Sequence, residues 1–163
     1  MDELQEEYFD WRQHNILTPV RDQKKCNCCW AIAAAGAIES LYNIVYKGQY
    51  NNILQAAPQH LIDCLNPNPR DIGPEECYTS TVRKAFKWIL SNKGIAKEKD
   101  YQFNARRGNC KEFLERKSLI PIKGYEKVDI ENLSSKIKEQ PITCGIRITN
   151  ELRRLRNIRE FVM

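Results

Sequence analysis

Asp22-Gln23-Lys24-Lys25-Cys26-Asn27-Cys28-Cys29-Trp30 places a cysteine directly before an apolar run, and the predicted fold is built around this junction. The run that follows, Trp30 to Tyr42, is rich in alanine and apolar almost all round in its first turns. A helix of this composition is buried on most sides, and its small side chains let neighbouring elements approach closely. We therefore predict a buried helix from Cys29 to about Tyr46, ended by Lys47-Gly48.

Cys29 and Gln23 form a candidate site for covalent chemistry. A cysteine at a helix N-terminus lies at the positive end of the helix dipole and near unpaired backbone amides, which favour the thiolate. Gln23 lies six residues earlier, where its side-chain amide could point toward the same place. Together with the backbone N–H of Cys29 it would supply two donors for a developing oxyanion. A nucleophile, a helix end and an amide donor are what acyl transfer by a thiol requires.

The rest of the chain predicts helices first and strands second. Turn and cap residues predict three further helices. The first runs from Gln59 to Cys64 and is opened by Pro58; the second is capped by Thr79 or Ser80 and runs through Leu90 to a stop at Gly94. The third runs from Leu133 to Gln140. Two runs rich in β-branched residues predict strands, Ser118–Ile122 and Ile142–Ile148. Helices followed by strands indicate an α+β layout with two lobes.

Length, composition and charge exclude several classes of protein. The chain has 163 residues, 42% of them hydrophobic and 29% charged, which argues against disorder. The longest apolar run, Cys28 to Ala35, is too short to span a membrane. The net charge of +5 is spread along the chain without a block that could follow a phosphate backbone. We expect neither membrane insertion nor nucleic-acid binding.

The seven cysteines point to an oxidising compartment. Their number is odd, so at least one thiol remains if the others form disulfides; they lie at positions 26, 28, 29, 64, 77, 110 and 144. The first seven residues, Met1 to Glu7, carry no basic region and no apolar core of a secretory signal. This contradiction suggests a chain that has lost a segment in front.

Short motifs follow one another in order along the chain: Phe9-Asp10-Trp11-Arg12, Thr18-Pro19-Val20-Arg21-Asp22-Gln23, Cys29-Trp30-Ala31, Ile38-Glu39, Leu61-Ile62-Asp63-Cys64, Gly94-Ile95 with Glu98 and Tyr101, and Gln140-Pro141-Ile142. With them, residues 8 to about 148 resemble the papain-like cysteine peptidases. The family signature C-G-S-C-W aligns with Cys26 to Trp30, where Asn27 and Cys28 stand in place of its glycine and serine. The resemblance implies a papain-like α+β fold with two lobes over residues 8–163. Its helical lobe, about 20–112, would be complete. Its β-barrel-like lobe, about 113–150, would be incomplete and followed by an atypical basic tail, 151–163.

The resemblance also implies roles for individual residues. Cys29 matches the nucleophile of the family and Gln23 matches its oxyanion-hole donor. Two disulfides, Cys26–Cys77 and Cys64–Cys110, would clamp the helical lobe, and Cys28 and Cys144 would stay unpaired. The family needs no cofactor or metal, its partners are peptide or protein substrates and inhibitors, and it is secreted, vacuolar or lysosomal.

Two departures from the family pattern bear on activity. The family places a catalytic histidine and asparagine about 130–150 residues after the cysteine, a window that opens near residue 159 and holds neither residue here. His14 and His60 match no catalytic position, so we expect a C-terminally truncated, inactive chain. The second departure lies in the glycine-rich stretch that faces the substrate, which here reads Glu76-Cys77-Tyr78-Thr79-Ser80. We expect its side chains to protrude, which makes Tyr78 and Thr79 candidate substrate contacts.

Three other interpretations of the sequence compete with this one. Cys26, Cys28 and Cys29 could bind a metal, but no histidine lies near them, and we predict no metal site. A non-catalytic relative that binds peptides or inhibitors through a remnant cleft is one alternative function. An interaction module that uses the basic tail is another. Because missing strands leave open sheet edges, we also expect low stability or self-association.

Overall fold

The computed structural model describes residues 8–49, 52–65, 76–111, 118–147 and 149–150. Its elements are a 3-10 helix (Trp11–His14), α1 (Cys29–Val45), α2 (Pro58–Cys64), α3 (Val82–Ser91), a second 3-10 helix (Ile130–Asn132) and α4 (Leu133–Glu139). The predictions for α1, α2 and α4 are confirmed to within one residue at each end. The predicted tail, 151–163, lies outside the described residues.

The core forms around α1, the longest helix. Ala31, Ala34 and Ala35 are fully buried, as the alanine-rich pattern predicts, and α1 packs against both α2 and α3. Larger apolar side chains from the neighbouring elements fill the space beside these alanines, among them Leu61 and Ile89. Close packing around small residues therefore fixes the position of the first residue of α1.

Buried polar contacts hold α1 at its middle. The Glu39 carboxylate accepts a hydrogen bond from the Ala56 N–H at 2.8 Å and one from the Thr18 hydroxyl. It also forms an ion pair with Arg21 at 3.3 Å. Because every one of these partners comes from a loop, Glu39 attaches the loops before and after α1 to the helix.

The start of α3 differs from the prediction. Its N-cap is Thr81, whose hydroxyl accepts a hydrogen bond from the Lys84 N–H at 3.2 Å, so neither Thr79 nor Ser80 caps the helix. The predicted stop is confirmed, since the Gly94 N–H donates to the Ile89 carbonyl at 2.9 Å. Lys93 just before it has a left-handed φ of 62°. The Lys93 N–H also donates to the Leu90 carbonyl, at 3.2 Å. These two bonds form the usual helix-terminating motif, with lysine at the position where glycine is common.

The predicted strands are absent from the described residues. The segment Ser118–Ile122 contributes a single antiparallel bridge, between Ile120 and Ile95, and residues 142–147 form no bridge. Ile148 itself lies outside the described residues. A β-rich run becomes a strand only beside a neighbour that pairs with it, and Pro121 removes a donor from the first run.

A close backbone approach makes the Ile120 bridge possible. Gly94 has φ 144°, and a side chain there would meet the Ile120 carbonyl oxygen at 2.7 Å. The segment after the bridge then lies over α3, where Tyr125 stacks on Phe86 with ring centroids 5.5 Å apart. Residue 94 must therefore be glycine for the second half of the chain to reach the helices.

Residues beyond Tyr125 are attached to the helices by few contacts. A hydrogen bond joins α4 to the N-terminal 3-10 helix: the Trp11 indole N–H donates to the Ile137 carbonyl at 2.6 Å. None of the described residues from 121 to 150 is buried. Within the described ranges, no helix has the length and apolar character needed to cross a bilayer.

Candidate active site

The loop before α1 is fixed at both ends. The Cys26 N–H donates to the Gln23 carbonyl at 3.1 Å, which closes a tight turn. Lys24 within the turn has a left-handed φ of 53°, and its N–H donates to the Asp22 carboxylate at 2.8 Å. Cys26 is buried and disulfide-bonded to Cys77. Because a turn and a covalent bond hold this loop, the backbone at Gln23 has a defined position six residues before Cys29.

Cys29 is the first residue of α1, and its side chain is exposed. Cys28, the N-cap, accepts hydrogen bonds at its carbonyl from the Ala31 and Ile32 N–H groups. The N–H of Cys29 finds no acceptor within the described part of the chain, as is usual for the first residue of a helix. The helix therefore presents a thiol and an available backbone donor at the same residue.

The three cysteines outside the disulfides differ in how accessible their sulfur is. Cys28 is buried, and burial, together with the neighbouring Cys29, raises its pKa to about 11. Cys144 is exposed but lies in a segment without regular structure. Only Cys29, among these three, is both exposed and at the start of a helix. Position and accessibility therefore favour Cys29 as a nucleophile.

The Gln23 side chain is half-buried and makes no hydrogen bond within the described residues. Its Oε1 is buried and has no hydrogen-bond partner there. Buried amides are normally paired, so an unpaired one calls for an explanation. A side-chain amide that is not committed to the surrounding protein stays available to donate to a ligand.

The expectation that the side chain of Tyr78 protrudes is wrong. Tyr78 is 5% exposed, and its hydroxyl donates to the Leu61 carbonyl at 3.2 Å and is also bonded to the Leu65 carbonyl. Burial raises the pKa of this hydroxyl. Thr79 is exposed, as expected. Substrate contact by Thr79 and Tyr78 stays a prediction, and for Tyr78 it would have to involve main-chain atoms.

Trp30 positions the loop that carries Tyr78, a role that sequence reasoning missed. The indole N–H of Trp30 donates to the Tyr78 carbonyl at 2.9 Å, and the two rings lie 5.4 Å apart. The available signal was the buried tryptophan next to Cys29, since a buried indole N–H needs an acceptor. This bond and the Cys26–Cys77 disulfide hold the loop that carries Tyr78 against the start of α1.

Neither histidine is placed to serve Cys29. His60 is buried, its Nδ1 accepts a hydrogen bond from the Ala96 N–H at 3.0 Å, and burial lowers its pKa to about 4. Its ring contacts are with Trp88 and Tyr101. His14 has ring contacts with two aromatic residues of the N-terminal segment, Phe9 and Trp11. Both histidines therefore have packing roles in this structure.

The second disulfide, Cys64–Cys110, closes the other side of the helical region. Next to it, the Asp63 carboxylate accepts hydrogen bonds from the Gly108 N–H at 2.7 Å and the Tyr101 hydroxyl at 2.9 Å. Both disulfides are the pairs that the family resemblance implies. Among the described residues, no group of three or more histidine, cysteine, aspartate or glutamate side chains is arranged to hold a metal ion.

An exposed thiol at the start of a buried helix, beside a disulfide-anchored loop with an uncommitted amide, is the arrangement of thiol-dependent acyl-transfer sites. Comparison with known proteins agrees: the family model described as papain family cysteine protease matches residues 5–156. The chain belongs to the papain family of cysteine proteases. Its fold is the α+β fold of that family, with the sheet lobe incomplete.

Relatives and solved structures extend this result. A low-temperature-induced cysteine proteinase of Solanum lycopersicum is 32% identical over 143 residues, covering 86% of this chain and 39% of that protein. Cathepsin J of Mus musculus is 38% identical over 105 residues, covering 64% of this chain and 29% of that protein. The chain thus spans well under half the length of these relatives.

The structural comparison gives the same fold. The proform of Amb a 11, a cysteine protease and ragweed pollen allergen, matches with a TM-score of 0.67 at 29% identity, covering 80% of this chain and 38% of that one. Procathepsin L2 from Tenebrio molitor larval midgut matches with a TM-score of 0.59 at 28% identity, covering 71% of this chain and 34% of that one.

Proposed function

We propose that Cys29 is the nucleophile of a peptidase site and that Gln23 donates to the oxyanion. The Cys29 sulfur would attack the carbonyl carbon of a peptide bond, forming a C–S bond while the carbonyl oxygen takes the negative charge. The C–N bond would then break, and the amine would leave with a proton, giving a thioester. Water would cleave the thioester and return the thiol. The substrate would be a peptide or protein, the class on which proteases act.

The observation that carries this proposal is that the loop and helix start held by the Cys26–Cys77 disulfide carry an exposed thiol, at Cys29, and two uncommitted donors. The Cys29 N–H and the Gln23 amide both lack partners among the described residues. Donors that are fixed before the reaction stabilise an oxyanion without reorganisation, and one such donor contributes about 10²–10³-fold in rate.

We further propose that this 163-residue chain alone does not turn substrate over. Neither His14 nor His60 is available to take the Cys29 proton or to protonate the leaving amine. In a serine peptidase, losing the base costs about a million-fold in kcat, close to 8 kcal/mol. A helix N-terminus contributes on the order of 1–2 kcal/mol at most, so it cannot replace the base.

A peptidyl aldehyde tests the two assigned residues. It adds reversibly to a thiol and places an oxyanion where the tetrahedral intermediate would have one. We expect binding that is lost in Cys29→Ala and retained in Cys144→Ala. We expect Gln23→Ala to weaken it about 100-fold and the exposed control Gln13→Ala to leave it unchanged. Equal weakening by the two glutamine variants would refute the role of Gln23.

A fluorogenic peptide tests the second part of the proposal. We expect no turnover above that of Cys29→Ala. Turnover that disappears in Cys29→Ala would show that the chain is an active enzyme and would overturn the claim of inactivity.

A non-catalytic peptide-binding function is the alternative, and the commitment of both histidines to packing favours it over catalysis. It is distinguished by the corresponding peptidyl amide, which cannot react with a thiol. If the amide binds as tightly as the aldehyde, and equally to Cys29→Ala, then the chain is a peptide-binding relative and Cys29 is not a nucleophile.

A further inference from the structure

A large open cavity lies at the end of α1 opposite Cys29. Its volume is about 1140 Å³, and it is lined by Tyr42 of the last turn of α1, by Tyr46 just after the helix, and by residues from 52–55 and 97–103. Tyr42 lies 13 residues after Cys29, which corresponds to about 20 Å along a helix axis. The cavity is therefore separate from the candidate active site, and a small ligand could not occupy both.

The walls of this cavity, which we call the α1-end cavity, are held by hydrogen bonds. The Leu54 backbone is bonded to the Asn43 side-chain amide in both directions, at 2.9 and 3.0 Å. The Glu98 N–H donates to the Gln55 carbonyl at 2.9 Å, and the Glu98 carboxylate accepts from the Phe103 N–H at 2.7 Å. A cavity with fixed walls binds its ligand with little ordering cost.

Four side-chain amides at this cavity are uncommitted. Asn15, Asn52, Gln55 and Gln102 line it, and none of their side chains makes a hydrogen bond within the described residues. Each amide offers two N–H donors and a carbonyl acceptor. A ligand with several hydroxyl groups, each both donor and acceptor, matches such a set.

Aromatic rings supply the apolar part of the lining. Tyr42 and Tyr46 lie side by side with ring centroids 4.4 Å apart, and Phe103 lines the same cavity. The face of an aromatic ring is electron-rich and attracts the weakly positive hydrogens of C–H groups. A sugar ring presents such a C–H face together with its hydroxyls.

The charge of the lining is positive. Lys47, Lys97 and Lys99 line the cavity, and none of them forms an ion pair with a described carboxylate. Glu98, the acidic residue of the lining, is paired with Arg21 at 3.6 Å. Three ammonium groups without counter-charges favour an anionic ligand.

We propose that the α1-end cavity binds an acidic oligosaccharide, a chain of sugar rings that carries carboxylate or sulfate groups. The amides would bind its hydroxyls, the tyrosine pair and Phe103 would contact its ring faces, and the three lysines would neutralise its charge. A nucleotide also combines a ring, hydroxyls and negative charge. The two disulfides favour the saccharide, because disulfides persist in oxidising compartments, outside the reducing cytosol.

Calorimetric titration of the full chain tests this proposal with three hexasaccharides. A heparin-derived one carries sulfates and carboxylates, hexagalacturonate carries carboxylates alone, and chitohexaose is neutral. We expect one or both acidic probes to bind and chitohexaose to bind at least 10-fold more weakly; which acidic probe is tighter identifies the anionic group. We expect the same affinity for Cys29→Ala, because this site does not depend on the proposed nucleophile.

Matched variants separate a site from general electrostatic attraction. The double variant Lys97→Gln/Lys99→Gln is expected to weaken binding at least 10-fold, and Tyr46→Ala about 5-fold. Lys84→Gln/Lys87→Gln removes the same charge from the exposed face of α3, outside the cavity, and is expected to change affinity less than 2-fold. Equal weakening by both double variants, no binding of any hexasaccharide, or tighter binding of ADP than of the acidic probes would overturn the proposal.

Discussion

Two regions of the chain, residues 26–111 and residues 121–150, both contain apolar side chains. Only in the first are such side chains buried in a core. The first holds both disulfides and three helices around buried alanines. The second has no buried residue among those described, and Ile130 in it is 89% exposed. The difference shows that apolar content does not stabilise a segment unless a neighbouring element covers it. Four variants, each with a matched control, test this comparison.

The largest effect is expected from the disulfide that anchors the active-site loop. Replacing both Cys26 and Cys77 with alanine opens a link between residues 51 positions apart, and loop entropy then predicts a loss of about 4 kcal/mol in the free energy of unfolding. Urea unfolding followed by tryptophan fluorescence measures this. Cys144→Ala, in the second region, is the control and should cost below about 0.5 kcal/mol. A loss under 1 kcal/mol for the double variant would contradict the prediction.

Shortening an isoleucine should distinguish the two regions next. Ile89 is fully buried in α3, so Ile89→Ala should cost about 3 kcal/mol through lost burial and a cavity. Ile130→Ala makes the same change in the second region and should cost below about 0.5 kcal/mol. Urea unfolding of both variants checks the pair. Similar costs would mean that the second region is packed as tightly as the first.

Acid should weaken the first region through His60. Burial lowers the folded pKa of His60 to about 4 from the ordinary value of 6.5, so between these values the unfolded chain binds a proton that the folded chain does not. The contribution of neutral His60 to the free energy of unfolding is therefore complete above pH 6.5 and is lost as pH falls toward 4. The loss between pH 7 and pH 5 is about 2 kcal/mol.

Unfolding curves at several pH values measure that slope. His60→Asn, whose side-chain oxygen can still accept from the Ala96 N–H, should reduce the slope by this amount. His14→Asn, which leaves His60 in place, should retain it. Identical slopes in the two variants would exclude His60 as the source.

The smallest effect is expected at the helix caps. Thr81 caps α3 through its hydroxyl, so Thr81→Ala should cost about 1 kcal/mol. Asn132 precedes α4 without a side-chain cap bond, so Asn132→Ala should change stability by only a few tenths of a kcal/mol. Thermal unfolding by circular dichroism compares them. An equal effect at Asn132 would show that α4 contributes to the cooperative unit.

The helices could be predicted from the sequence because their signals are local. Alanine-rich composition after Cys29 and the position of Pro58 depend on neighbours a few residues away, and α1 and α2 form where these signals lie. The strands depended on partners far along the chain, which a β-rich run such as 142–147 does not specify. Tyr78 was misplaced for the same reason, since its hydroxyl bonds to α2, a distant segment.

The candidate site was predictable in part. Cys29 and Gln23 lie on one short stretch, so the sequence could place both, and the disulfide partners came from the resemblance to the family. The α1-end cavity gave no such signal, because its lining comes from segments more than 80 residues apart, from Asn15 to Phe103. Uncommitted amides and unpaired lysines can be recognised only when the fold shows which groups lack partners.

The bond from the Trp11 indole to the Ile137 carbonyl has a consequence for biosynthesis. Its two ends are 126 residues apart, so the ribosome must make all the residues between them before the tryptophan meets its acceptor. At a translation rate of about 5–20 residues per second, roughly 6–25 s pass between the synthesis of Trp11 and that of Ile137. The helices around α1 can assemble during that interval, so α4 docks onto a helical region that has already formed.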